Sequence, residues 1–189
     1  MLGGREVIGA LILAGALVSA PDPTSYVAPD GRAFQQLVAD HVLPDPETTP
    51  GAAYTDDPAL TPVTLAQVCK PGWTGTVRPP TGFTDKLRAE MTPAGFKPLD
   101  GELDHLLSIE DLGYPGSAAN VDLSRKNLWW MIYRDRYGAR VKDVLETKVH
   151  RLLCAGKITA QQAHDALIPN WLVGYVQYVG PLPSTETTK

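Results

Sequence analysis

Glu102–Trp130 reads ELDHLLSIEDLGYPGSAANVDLSRKNLWW, and the remainder of the chain is best understood outward from it. Asp104-His105 sits inside an apolar segment of Leu103, Leu106, Leu107 and Ile109, the composition of a strand. A loop rich in Gly, Pro and Ser follows, and Lys126-Asn127-Leu128-Trp129 opens the next element. A carboxylate beside an imidazole supplies a ligand for a divalent ion and a base that deprotonates water near neutral pH. Such a site also needs a polar residue across the hairpin to brace the loop that aims the imidazole. Asn127 is the candidate; its simpler alternative is the N-cap of a following helix. Neighbouring side chains on a strand point to opposite faces, so Asp104 and His105 share one site only where the strand ends or bulges.

Downstream of Asn127 the pattern is helical. Between Gly138 and Cys154, Val141, Leu145, Val149 and Leu152 recur on one face, with Lys142, Asp143, Glu146, Lys148 and Arg151 on the remainder. Lys142 and Glu146 are spaced to pair on an exposed face. Gly156 ends this helix. Thr159-Ala160-Gln161-Gln162 is a capping box opening a helix through Leu167, stopped by Pro169. Asn170–Val179 (NWLVGYVQYV) reads as a closing helix against the core, and 181–189 as a polar, disordered tail. His150 and His164 fall on polar helix faces and read as surface residues.

Upstream, Pro21–Pro62 is rich in Pro, Asp, Thr and Gly and reads as an extended or mobile arm. It is interrupted by one short helix over Ala33–Leu43, where Phe34, Leu37, Val38 and Val42 recur at helical spacing. Asp56-Asp57-Pro58 reads as a turn. Thr64-Leu65-Ala66-Gln67 fits a capping box running into Cys69, and Thr84 is expected to cap a helix over Asp85–Met91. Arg78, Lys86 and Arg88 form a basic cluster with the ordinary explanation of a solvated face.

The chain has 189 residues, enough for one globular domain with appended ends, and a net charge of −4 that gives no overall pull toward nucleic acid. Arg5 followed by the apolar run Val7–Val18 has the layout of an export signal within 1–20; a retained anchor is the alternative. Cys69 and Cys154 are the only cysteines and lie in no metal-ligand spacing. In an oxidising compartment they are expected to pair, stabilising the fold by roughly 4–5 kcal/mol in the chain-entropy model. Two buried thiols in a reducing compartment are the other reading.

Val68-Cys69-x-Pro71-Gly72-x-Thr74, Val77-Arg78-Pro79-Pro80, Asp104-His105-Leu106 and Asn127-Leu128-Trp129 occur here in that order. Gly138-Ala139-x-x-Lys142-Asp143-x-Leu145-Glu146, His150-Arg151-Leu152-x-Cys154-x-Gly156 and Asn170-Trp171 follow. Over about Thr61–Gly180 the ordered set resembles small exported bacterial proteins that carry an HNH-like (ββα-metal) endonuclease segment. The resemblance implies an α+β fold: a small β-hairpin core packed by several helices, a loop-rich N-terminal half, an HNH-like domain over 63–180 and a Cys69–Cys154 disulfide. It implies His105 as general base, Asn127 as loop brace and Asp104 as ligand to Mg²⁺ or Zn²⁺. Asp135 is the candidate for the last ligand, with Asp143 and Glu146 as alternatives. Arg134, Arg136, Arg140 and Lys142 form the cluster that would meet phosphate. Leu103 and the Trp130-Met131-Ile132 run depart from the group's pattern around this site. Three functions follow as expectations: a periplasmic or extracellular metal-dependent nuclease or phosphodiesterase acting on nucleic acid, a catalytically inactive HNH-like scaffold that binds a protein or envelope partner, and a metal-binding module without hydrolysis.

Overall fold

A computed structural model describes residues 22–184; the expected export signal and residues 185–189 lie outside the described residues. Among the described residues the first α-helix is α1 (Phe34–Ala39), which buries Phe34 and Leu37. Two short helices follow, α2 (Leu65–Val68) and α3 (Trp73–Val77). The expected capping box holds at α2: Gln67 N–H donates to Thr64 Oγ1 and Thr64 N–H donates back to Gln67 Oε1. Then comes α4 (Thr81–Met91), with Pro80 as N-cap. Thr84, expected to cap this helix, lies inside it, and its hydroxyl donates to Thr81 O. The helix starts earlier, at Thr81, directly after the N-cap Pro80.

The sheet consists of β1 (Gly101–His105) and β2 (Leu128–Ile132), antiparallel, with Asp104 opposite Trp129 and His105 opposite Leu128. Between them run a 3-10 turn over Ile109–Asp111 and α5 (Val121–Asn127). Asn127 therefore closes a helix and leads into a strand; it is not the N-cap of a helix. The run Leu128–Met131 is buried on both faces, and so shows none of the polar alternation that marks a half-exposed strand. After β2 come α6 (Ala139–Cys154), α7 (Ala160–Asp165) and α8 (Trp171–Tyr178). α6 packs on α8 and on β1. Its inward stripe is Val141, Leu145, Val149 and Leu153; Leu152, expected in that stripe, is half-buried. Gly156 has φ +65° and ends the segment in the left-handed region, where glycine carries no Cβ penalty.

The fold is thus mixed, helices around one two-stranded sheet, stapled by a disulfide. Cys69 and Cys154 are bonded with Cα atoms 5.7 Å apart, joining the end of α2 to the last residue of α6.

Two expectations about the ends change. The expected arm over 21–62 is, across its described residues 22–62, not a mobile arm: Ala28, Phe34, Leu37, Val42 and Leu43 belong to the same core cluster as Leu145 and Trp171. The apolar pattern of the short helix was legible, but the burial of these residues needs partners far along the chain, which local spacing does not show. The tail starts later than Pro181, since Leu182 is buried against that core.

Candidate functional site

Alternation along β1 sends Asp104 toward α6 and His105 toward the loop at Pro115. On the first side Asp104 Oδ2 lies 2.8 Å from Lys142 Nζ. The same ammonium pairs with Glu146, one turn along α6, and donates to the backbone oxygen of His105 at 2.7 Å. Two of the lysine's three N–H donors are used in hydrogen bonds, to Glu146 and His105 O, and Asp104 is held by charge at ion-pair distance. The Lys142 side chain is 1% exposed. It is therefore neither on the solvated helix face nor available to phosphate, as the sequence reading expected. The reason is tertiary: β1 brings a carboxylate against α6, so the ammonium is stabilised inside. Burial alone would lower the lysine's affinity for its proton, but the Asp104 and Glu146 carboxylates outweigh it and hold Lys142 charged. Burial raises Glu146, and the nearby Asp104 charge adds to this against the pull of Lys142. One ammonium facing two carboxylates is neutral when one of them keeps a proton, and Glu146 is the one placed to keep it. Glu102, two residues before Asp104 on the same strand face, accepts a hydrogen bond from Tyr133 Oη at 2.9 Å.

His105 is half-buried on the other side. Its Nε2 is 3.0 Å from Pro115 O, a contact that requires the proton on Nε2 and leaves the lone pair on Nδ1. Burial pushes His105 down to about 4, so the imidazole is neutral at physiological pH. The sign of the linkage follows. With the folded value below the unfolded one, the stabilisation is complete above about pH 6.5 and is lost as pH falls toward 4. The full effect is on the order of 3 kcal/mol. Urea unfolding of the protein and of His105→Gln between pH 7 and 4 should show a stability difference that shrinks through this window. Parallel pH profiles for the two proteins would contradict the assignment.

Asn127 is fully buried and makes a complete set of bonds. Its Oδ1 accepts from Leu107 N–H at 2.8 Å and from Ala52 N–H at 3.4 Å. Its Nδ2 donates to Leu107 O at 3.0 Å and Tyr114 O at 2.8 Å. One side chain thus closes the loop that leaves β1 and ties in the N-terminal segment. Gly113 makes the fold-back possible, because a Cβ there would stand 1.8 Å from Leu107 O.

The remaining candidates lie apart from this cluster. Asp135 accepts two hydrogen bonds from the Arg32 guanidinium, at 2.8 and 2.9 Å, and one from Tyr137 N–H. It is an anchor for the N-terminal segment, not a companion of Asp104. Arg136 is half-buried; Arg140 is exposed, pairs with Asp143 at 3.3 Å and lies over the Tyr133 ring. Among the described residues no three His, Cys, Asp or Glu side chains are grouped to hold a metal ion. Asp104 and Glu146 face an ammonium, so the donor set as folded does not fit a divalent ion unless Lys142 is displaced.

Sequence reasoning missed a second polar cluster. Asp111 is 0% exposed. His150 Nδ1 donates to Glu110 O at 2.8 Å and lies 3.6 Å from Asp111 Oδ1. His164 Nε2 donates to Asp111 O at 2.8 Å. Both histidines, read as surface residues, instead hold the turn after β1 against α6 and α7. The available signal was their spacing from Cys154 and from the Glu110-Asp111 pair, which periodicity alone does not interpret. Asp57, read as a turn residue, is buried and accepts from Tyr114 Oη at 2.8 Å.

No family model, curated protein or solved structure matches this chain. Among the described residues no helix is long and apolar enough to cross a membrane.

Proposed function

We propose that the protein is an exported HNH-like scaffold that binds a protein or envelope partner, with Lys142 serving as its internal cation. The observation that carries this reading is the burial of Lys142 Nζ, which bonds to Glu146 and the His105 carbonyl and stands at ion-pair distance, 2.8 Å, from Asp104 Oδ2. A buried ammonium between two carboxylates supplies the positive charge that a divalent ion would otherwise bring, without an open coordination position for water. The Cys69–Cys154 bridge fits an oxidising compartment. The exposed charge of Arg134 is available to a partner.

A second reading, a Mg²⁺- or Zn²⁺-dependent nuclease, is favoured by one observation. His105 is a neutral imidazole with a free Nδ1 at the end of β1, where the loop that follows is braced by Asn127. Such a base activates water, and the metal would bind through Asp104 after displacing Lys142. Isothermal titration with Mg²⁺, Mn²⁺ and Zn²⁺, beside cleavage assays on single- and double-stranded DNA and RNA, separates the two. The scaffold reading expects no binding heat and no cleavage. Metal-dependent cleavage that disappears in His105→Ala, with unchanged thermal unfolding, would replace it with the nuclease.

A further inference from the structure

We infer that the Cys69–Cys154 bridge is a thiol–disulfide exchange site, with Cys154 as the sulfur that leaves and His150 as the group that stabilises it. Cys154 is exposed and Cys69 half-buried, so the bond is at the surface. His150 stands one turn before Cys154 on α6, and its ring nitrogens Nε2 and Nδ1 lie 3.6 and 3.8 Å from Cys154 Sγ. Because Nδ1 donates to Glu110 O, Nε2 is the nitrogen free to hold a proton toward sulfur. Behind the imidazole stands Asp111, buried, with no hydrogen bond reaching either carboxylate oxygen and Oδ1 3.6 Å from His150 Nδ1. Sulfur, imidazole and carboxylate thus stand in sequence. The Asp111 carboxylate holds His150 above the ordinary histidine range, while burial pushes Asp111 itself up to about 6.

The approach to the bond is also built. A cavity of about 180 Å³ lies on the Cys69 side, lined by Cys69, Lys70, Pro71, Trp73, Glu110 and His150. Lys70 brings positive charge to that mouth, which favours an incoming thiolate. The charged and titratable groups around His150 are Glu110 and Asp111 on the turn, Lys70 across the cavity, and His164 beyond Asp111. The C-terminal end of α6 opposes a thiolate on Cys154, because helix carbonyls there disfavour negative charge, and the Glu110 carboxylate at the cavity adds to this.

The chemistry balances with a dithiol as reductant. One thiolate of the dithiol attacks Cys69 Sγ, a new S–S bond forms, and the electrons of the Cys69–Cys154 bond leave on Cys154 Sγ. His150 Nε2 donates its proton to that thiolate or stays beside it as imidazolium. The second thiolate of the dithiol then attacks its own sulfur in the mixed disulfide and releases Cys69 as a thiolate that takes a proton from water. The dithiol loses two electrons and two protons and becomes a disulfide; the protein gains both. The lower the affinity of the leaving sulfur for its proton, the faster it leaves.

The test uses the full chain in its oxidised form, with dithiothreitol as the probe and circular dichroism to follow the fold. In native buffer the bridge should open without loss of secondary structure, and about tenfold more slowly in His150→Gln. A second measurement needs no variant: iodoacetamide labelling of the reduced protein from pH 5 to 9, with each cysteine mapped by mass. Cys154 should titrate below the ordinary thiol value of about 8.5. A bridge that opens only when denaturant unfolds the protein, equal rates in His150→Gln, or a Cys154 titrating at or above the ordinary value would each overturn the assignment.

Discussion

Replacing Lys142 by methionine should lower the unfolding free energy by about 3–5 kcal/mol at pH 7, the range for removing one partner of a buried ion pair. Methionine matches the volume of the lysine stem, so little of the loss comes from a cavity. What remains is Asp104, 13% exposed, without its cation, and Glu146 beside it. Asp104 must then take a proton or draw in water, beside a Glu146 that already holds one. The variant should therefore recover part of its stability as pH falls and Asp104 becomes neutral, whereas the parent protein gains nothing from that change at this site. Urea unfolding at pH 7 and 5, with the disulfide oxidised throughout, reads both effects. A loss under about 1 kcal/mol, or no recovery at the lower pH, would show that the ammonium is not the buried counter-charge of Asp104.

Asn127→Ala should cost a comparable amount, about 3–5 kcal/mol, for a different reason. The substitution leaves Leu107 N–H, Leu107 O and Tyr114 O without their partner inside the fold. Each such orphan costs about 1–3 kcal/mol. Asn127→Asp keeps the shape but turns an acceptor toward two carbonyl oxygens, so it should be no milder. Chemical unfolding gives the total, and hydrogen exchange at the Leu107 amide localises it. A stability within 1 kcal/mol of the parent for both variants would mean that the loop closes without Asn127.

The parts of this structure that could be read from the sequence are those whose cause is local. The Thr64–Gln67 and Thr159–Gln162 boxes depend on residues three apart, and both are present. The apolar stripe of α6 and the strand at Asp104-His105 depend on period, and both elements formed where expected. The pairing of Cys69 with Cys154 followed from count and context. What resisted reading depends on distant partners. Lys142 looks like any polar helix residue until β1 places Asp104 against it. Leu128–Ile132 was concealed because a strand buried on both faces shows no alternation. Asp135 looked like a spare ligand, yet Arg32, far upstream, claims its carboxylate. The histidines on α6 and α7 were misjudged in the same way, because the turn they hold lies across the fold.

The involvement of the N-terminal segment bears on how this protein can be taken apart. Trp171 Nε1 donates to Val42 O at 2.9 Å, Arg32 clasps Asp135, and Phe34 and Leu37 sit in the core with α6 and α8. A fragment cut at residue 63 would keep Asp104, His105, Asn127 and Lys142, yet it would expose the surface those side chains cover. The stretch able to fold on its own therefore reaches upstream of residue 63. Excising the motif-bearing piece for study would yield a chain without its own keystone.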